Sequence, residues 1–324
     1  MINIAILAVE NSMKSSIIGP LDVLTIASRE WSRSVDNTQS DLFRLKVITD
    51  DGSPTTCFLG TKIYPHHGKD NCKDLDVIFI PVIHGDLNQV LSNMELTDWL
   101  YRQNKKGVII CAVCAGVFLA AETGLLNNRE ATTHWNLAED FQKRYPDVLL
   151  KEEKMIIDEG DFITAAGATA YLDLSIYLAG RFGSSELVST LSKLLLIDPS
   201  RRLQTPYKGL NFNIRHNDKE VLKVQQWIEE NITNTISLSI LAEIAGLGSR
   251  TFMRRFKKAT GNTPLEYIQH LRIGKARTLL ERTGQPFDSI TYEVGYEDTS
   301  SFRRLFRKNT GLSPSDYRKR FSLF

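Results

Sequence analysis

Cys114 lies in the run IICAVCAGV (109–117), with Ala112 two residues before it, Gly116 two after, and a helical stretch starting at Ala115. Small residues at those offsets permit the sharp strand-to-helix turn that presents a nucleophile at a sheet edge. A thiol at that place also faces a helix N-terminus, which lowers its pKa and favours the thiolate. His134 follows twenty residues later and is the residue type that could serve as its base. Hydrolysis by such a pair needs a third group to orient the imidazole; Glu10 closes the first strand, but nothing in the sequence fixes its direction. Without that group, Cys114 reads as a small residue tolerated at a tight turn and His134 as a half-buried histidine bonded to backbone. A thiol that is oxidised without turnover is a further use of the same position. His84, Gly85 and Asp86 follow the run DLDVIFIPV and form either a pocket rim or a plain turn. His66, His67 and Cys72 in YPHHGKDNC are metal-ligand types in a loop-like setting with no second cluster, so no metal site is expected. No phosphate-binding glycine pattern is present, and no cofactor is expected.

The elements that would position these residues alternate. INIAILAV precedes a helical Ser16–Arg29; FRLKVIT stands alone; DLDVIFIPV precedes Leu87–Arg102; GVIICAV precedes Ala115–Glu122; FITAAGA precedes Tyr171–Phe182. Such alternation predicts an α/β, flavodoxin-like domain, a mostly parallel sheet with helices on both faces, whose ligands sit at the C-terminal ends of strands.

The last third is organised differently, by a repeat. FMRRFKKATGNTPLEY (252–267) and FRRLFRKNTGLSPSDY (302–317) share F-x-R-x-F-[KR]-K-x-T-G-x-[TS]-P-x-[ED]-Y at a spacing of fifty residues. Each copy follows a short apolar helical stretch, ILAEIAGLGSRT or SITYEVGYEDTSS, closed by Gly246 or Gly295, where glycine can end a helix in the left-handed conformation. Ser249 is the expected cap of the next helix in the first copy, and Asp298 or Thr299 in the second. Helix, glycine turn, helix describes a helix-turn-helix unit. In the second helix of each unit the phenylalanines at i and i+4 face inward. Arg250, Arg254, Arg255, Lys257 and Lys258, or Arg303, Arg304, Arg307 and Lys308, occupy other positions, with no acid in 249–258 or 299–308. Pro264–Arg282 reads as a long helix joining the units, able to place two recognition helices in major-groove segments about 34 Å apart.

Composition agrees. The chain has 324 residues and 42% hydrophobic content, more than one core usually organises. Net charge is only +2, yet Asn217 onward carries 18 Lys and Arg against 12 Asp and Glu, and the preceding part 22 against 26. A basic tail beside a mildly acidic body suits a nucleic-acid partner. The four cysteines show no disulfide framework, the longest apolar runs are too short for a membrane span, and Met1–Val9 reads as a strand. A reduced, cytoplasmic protein is therefore expected. The polar stretch 198–218 is the expected linker, with a boundary near residue 215, between a domain at 1–197 and an all-α domain at 219–324.

About Val221–Phe321 the sequence resembles the AraC/XylS family of bacterial transcription regulators. The more specific match is IT-YEVGYEDTSSFRRLFRKNTGLSPSDYRKRF, where Thr291 stands in place of a more usual alanine. The resemblance implies a double helix-turn-helix domain with Ser249, Arg250, Thr251, Arg254 and Arg255, and Thr299, Ser300, Arg303 and Arg304, as candidates for DNA contact. Over about Ile2–Leu196 the chain resembles the class I glutamine amidotransferase-like superfamily, in its intracellular-protease and chaperone-like branch. The matching pieces are GPLDVLTIAS, AVCAGVFLAAETGLLNNREATTHW and FITAAGATAYLDLSIYLA. His134 takes the place of that branch's histidine, but the acids of the two related patterns are replaced by Asn136 and Ser16. Together the resemblances imply a DNA-binding transcription regulator, usually an activator, located at the bacterial nucleoid. Its first domain would be a non-catalytic sensor and homodimerisation module, with Ser16, His84, Gly85, Cys114, Ala115 and His134 lining a pocket for an unknown small effector. A double-stranded operator and RNA polymerase would be its partners. The alternative is a Cys-dependent amidase, protease or deglycase-like enzyme with a DNA-binding tail.

Overall fold

The computed structural model describes residues 1–34, 41–209 and 216–322. The chain folds as two compact units, Met1–Gln204 and Thr205–Phe324. The expected linker range 198–218 spans that division, and the boundary expected near residue 215 lies outside the described residues.

In the first unit the strands are β1 (Ile2–Leu7), β2 (Phe43–Thr49), β3 (Thr55–Thr56), β4 (Lys62–Ile63), β5 (His67–Gly68), β6 (Val77–Ile80), β7 (Ile109–Val113), β8 (Glu130–Ala131), β9 (Leu149–Leu150), β10 (Ile156–Asp158) and β11 (Phe162–Ala165). Seven of them form the main sheet in the order β10-β11-β7-β6-β1-β2-β5. All its pairings are parallel except that of β10 with β11. The helices are α1 (Ser15–Ser34), α2 (Asn88–Leu91), α3 (Met94–Lys105), α4 (Gly116–Glu122), α5 (Ala138–Arg144), α6 (Ala170–Phe182) and α7 (Ser185–Leu194).

The apolar strands are continuous in sequence because both sheet faces are covered, and the two-residue period sorts them. Ile4, Ile6, Val77, Phe79, Cys111 and Val113 pack with α1, α6 and α7. Ala5, Leu7, Ile78, Ile80, Ile110 and Ala112 pack with α3 and α4 on the other face. The expected sheet with helices on both faces is present. One expected helix, Leu87–Arg102, is divided: the Asn93 side chain accepts the Leu96 N–H at 3.0 Å and caps a new helix there. The antiparallel edge strand β10 was not legible as a strand, being three residues long with a partly exposed face.

The second unit is helical: α8 (Lys219–Glu230), α9 (Leu238–Ile244), α10 (Ser249–Thr260), α11 (Pro264–Arg282), α12 (Phe287–Glu293), α13 (Thr299–Thr310) and α14 (Pro314–Phe321). It holds two cores, and α11 contributes to both. Tyr267 and Ile268 from its first half pack with Phe252 and Phe256, while Ile273, Ala276 and Leu280 from its second half pack with Phe302 and Phe306. A helix of 19 residues spans about 28 Å.

The aromatic, threonine, glycine, capping and proline letters of the repeat each have a structural use. The phenylalanines are fully buried, worth about 1.5–3 kcal/mol apiece. Thr260 and Thr310 return their hydroxyls to the carbonyls four residues back. Gly261 and Gly311 end α10 and α13 at φ 77° and 72°. Thr263 and Ser313 cap the following helices, whose first residues are the prolines. Tyr267 and Tyr317 then meet Phe256 and Phe306 edge to face, at 5.4 Å in each copy. Thr291 is fully buried and donates its hydroxyl to Phe287 O at 2.9 Å, so the departure from alanine leaves no polar atom unpaired.

Candidate nucleic-acid interface and elbow site

On α10, Arg250, Thr251 and Arg254 are exposed and lie on successive turns, free of the core that Phe252 and Phe256 enter. Ser249 is exposed as well, but it does not cap the helix as expected. Gly248 occupies the cap position, with extended backbone and no side-chain bond, and Ser249 is the first helical residue. Arg255 differs from its neighbour: its Nε and Nη2 donate to the two carboxylate oxygens of Asp218 at 2.9 and 2.6 Å. Asp218 also accepts the Val221 N–H as cap of α8, and the guanidinium beside it holds its carboxyl below the usual range. Arg255 therefore fastens α10 to α8.

On α13, Ser300, Arg303 and Arg304 are exposed and Thr299 is half-buried. Asp298 is the cap, accepting the Ser300 N–H at 2.9 Å. Arg303 lies over the Phe287 ring, 5.3 Å from its centroid, and its Nη2 donates to Asp288 Oδ1 at 3.3 Å in an exposed pair, while Arg304 donates to Ser301 Oγ at 2.9 Å. Sequence reasoning missed Arg272, midway along α11. Its Nε donates to Ile232 O at 3.0 Å and its Nη2 to Asn234 O at 2.8 Å, while the guanidinium stands over Tyr296, 5.1 Å from its ring centre. It thus ties the loop entering the first helix-turn-helix to the turn of the second. Gly295 is in that turn at φ +84°, and a Cβ there would come within 2.7 Å of Thr233 O. The sequence signal for this junction is a lone arginine between Leu271 and Ile273 in the linker helix.

In the first unit Cys114 occupies the elbow as expected. Its φ is +55°, its N–H donates to Ala165 O at 2.7 Å, and its carbonyl accepts the Thr133 hydroxyl at 2.7 Å. Gly116 must be small, because a Cβ there would lie 2.3 Å from Pro81 O. The expected low thiol pKa is not found. Cys114 is 6% exposed, and burial pushes the thiol up to about 11 against the opposing pull of the Ala115 and Gly167 N–H groups. Desolvation outweighs the helix terminus, and α4 is only seven residues long.

His134 is half-buried, its Nδ1 accepts the Asn136 N–H at 3.0 Å, and burial lowers its pKa. Ser16 is fully buried, donating to Met13 O at 2.7 Å and accepting the Val82 N–H at 3.0 Å, so its hydroxyl joins two backbone segments. Ala115 is buried beside Cys114. His84 stacks on Phe58 with ring centres 4.6 Å apart, and Gly85 is exposed at φ +74°. Among the described residues, no hydrogen bond joins Cys114 to His134 and no carboxylate bonds to either; Glu10 is exposed.

Residues 3–179 match the DJ-1/PfpI family and residues 241–320 a helix-turn-helix domain. The chain belongs to the DJ-1/PfpI family. Two similar curated proteins, both from Pseudomonas aeruginosa, are HTH-type transcriptional regulators. CdhR is 28% identical, covering 90% of this chain and 87% of its own length. GbdR is 26% identical, covering 98% and 84%. In fold, the chain resembles Drosophila melanogaster DJ-1beta (TM-score 0.52, 18% identity, 61% of this chain and 98% of that one). It likewise resembles an AraC family transcriptional regulator from Pseudomonas putida (TM-score 0.51, 17% identity, 60% and 100%). Within the DJ-1/PfpI-type unit the turn of the elbow is intact, while the residues around its thiol are bonded to backbone. His66, read in sequence among metal-ligand types, uses its Nδ1 to accept the Val47 N–H at 3.0 Å. Among the described residues, no helix is long and apolar enough to cross a membrane.

Proposed function

We propose that the chain is a sequence-specific transcription regulator whose helices α10 and α13 read a double-stranded operator and whose DJ-1/PfpI-type unit senses a small effector without turnover. The observation that carries it is the pair of exposed, acid-free cationic helix faces seated on one linker helix. Arg250, Arg254, Arg303 and Arg304 are the base-reading candidates, since a guanidinium pairs with guanine bidentately. Ser249, Thr251, Thr299 and Ser300 suit phosphate positioning. Arg255 leaves this set because Asp218 holds it. Ser16, His84, Gly85, Cys114, Ala115 and His134 remain the candidate effector surround. A homodimer formed through the first unit, contact with RNA polymerase, activation of transcription and a place at the bacterial nucleoid complete the reading, supported by the resemblance to known regulators.

The test is genome-wide binding of purified full-length protein, with Arg254→Ala/Arg304→Ala as control, at two salt concentrations. A discrete motif lost in the variant is expected, each base-reading arginine contributing about 1–3 kcal/mol. Diffuse, salt-sensitive binding in both proteins counts against the reading. The positive φ of Cys114 favours the second reading, a Cys-dependent hydrolase. The protonated thiol and the lack of an orienting carboxylate oppose it. A hydrolytic rate that vanishes in Cys114→Ser would decide for the enzyme.

A further inference from the structure

We propose that Gln204 is a latch through which the state of the Cys114 elbow is passed to the DNA-binding unit; this rests on the sensor reading above. Gln204 is the last residue of the first unit, and the chain enters the second at Thr205. From 193 to 204 every other residue is exposed or half-buried, whereas Gln204 is 2% exposed. The segment before it, Ile197–Leu203, borders a groove of about 670 Å³ whose wall includes Met155, Ile176 and Val188. The strap is also held along residues 153–155, where the Met155 N–H donates to Arg202 O and the Gln204 N–H to Glu153 O, each at 3.0 Å, and Arg201 pairs with Asp173; Gln204 is where its side chains first enter the core.

The carboxamide is fully engaged there. Oε1 accepts the Trp135 N–H at 2.9 Å. Nε2 donates to Thr133 O at 2.8 Å and lies 3.3 Å from both Thr132 Oγ1 and Lys154 O. Thr132 and Thr133 are themselves fully buried, and the Thr133 hydroxyl donates to the carbonyl of Cys114. So Cys114, Thr133 and Gln204 form a continuous hydrogen-bonded path from the elbow to the residue before the DNA-binding unit. His134 lies between the two residues whose backbone Gln204 holds. Movement of the 132–135 loop that Gln204 does not follow leaves buried polar atoms unpaired, which makes the arrangement two-state: carboxamide joined to the loop, or withdrawn from it while the bridge to residues 153–155 remains. An effector that displaces His134 or the elbow carbonyl shifts that balance in proportion to its preference for one state.

The test uses the full-length chain, with Cys114→Met as a steric perturbation of the elbow, in three backgrounds: otherwise unchanged, Gln204→Leu and Thr133→Val. Hydrogen exchange is followed by mass spectrometry in peptides covering 199–204, 130–136 and, as a global control, 2–7. Affinity is measured for the genomic fragment most enriched by the unmodified protein. In the unchanged background Cys114→Met should speed exchange at 199–204 about tenfold, the scale of one lost buried hydrogen bond, and shift DNA affinity several-fold, with 2–7 unaltered. In Gln204→Leu exchange at 199–204 is already fast and Cys114→Met adds nothing. In Thr133→Val the strap stays latched but no longer responds to Cys114→Met. Equal responses in all three backgrounds, or a response confined to 130–136 in the unchanged one, overturn the latch. Should Gln204→Leu not fold, Thr133→Val, which keeps the side-chain shape, decides alone. If the unmodified protein enriches no fragment, the regulator reading fails, while the exchange measurements still decide the latch.

Discussion

Cys114 should be slow to alkylate, by an amount that follows from its burial. With the thiol at about 11, the thiolate fraction at pH 8 is ~0.001, against ~0.1 for a thiol at the ordinary value of 9.0. The folded protein should then react about a hundredfold more slowly than the unfolded chain, before any steric exclusion is counted. The assay is iodoacetamide labelling from pH 7 to 11, native and in denaturant, with the Cys114 peptide quantified separately from those of Cys57, Cys72 and Cys111. The native inflection should fall near 11 and the unfolded one near 9. The sign of the linked stability is set by the same shift. Between pH 9 and 11 the unfolded chain releases a proton that the folded chain keeps, so the stability present below 9 is lost as pH rises, by roughly 3 kcal/mol in all. A native inflection at or below pH 8 would refute the dominance of burial, restore the helix terminus as the controlling influence, and reopen the hydrolase reading.

Other outcomes follow from the same geometry. Asp218→Ala should lower stability by about 1–2 kcal/mol, since it removes both the cap of α8 and the partner of Arg255. Arg255→Ala should lower the melting temperature while leaving operator sequence preference intact, and a loss of preference would return Arg255 to the reading face. Gly116→Val should cost more than about 3 kcal/mol or prevent folding, because its Cβ meets Pro81 O; a normal melting temperature would show that the elbow can open. Arg272→Ala should let the protein tolerate operators whose two elements are moved by a base pair or two, as read by binding to spacing variants. Unchanged intolerance would mean that α11 alone fixes the spacing.

The repeat was legible because its letters are local: caps, a left-handed glycine and i, i+4 aromatics act within one unit, and two copies confirm one another. The covered sheet was legible because unbroken apolar strands require two packed faces. What escaped depends on partners distant in sequence. Arg254 and Arg255 are the same residue type in adjacent positions, and only Asp218, 37 residues earlier, draws one of them inward. Arg272 looks like a surface arginine until the carbonyls of Ile232 and Asn234 are brought to it. Asn93 reads as an interior helix residue until its side-chain amide, donating to Asp50 Oδ2 at 2.8 Å, is seen to cap a new helix at Leu96. The thiol was misjudged because a helix terminus is visible in sequence, whereas the 6% exposure that overrides it is a property of the folded core.

On the regulator reading, the elbow's strain has a use other than nucleophilic attack. A non-glycine residue at φ +55° costs on the order of 1–3 kcal/mol, and such a cost persists only where the surroundings hold the turn in place. Here they do so through the main chain: the turn aims the Cys114 N–H at Ala165 O and its carbonyl at the Thr133 hydroxyl. Neither bond uses the sulfur. Ser16, at the place of an acid in the related pattern, likewise joins Met13 to Val82 through its hydroxyl. The main chain of Cys114 and the hydroxyl of Ser16 thus join backbone segments at the strand ends. Geometry suited to presenting a nucleophile serves equally to make a rigid junction, and one edge of that junction, the 132–135 loop, is where Gln204 is held.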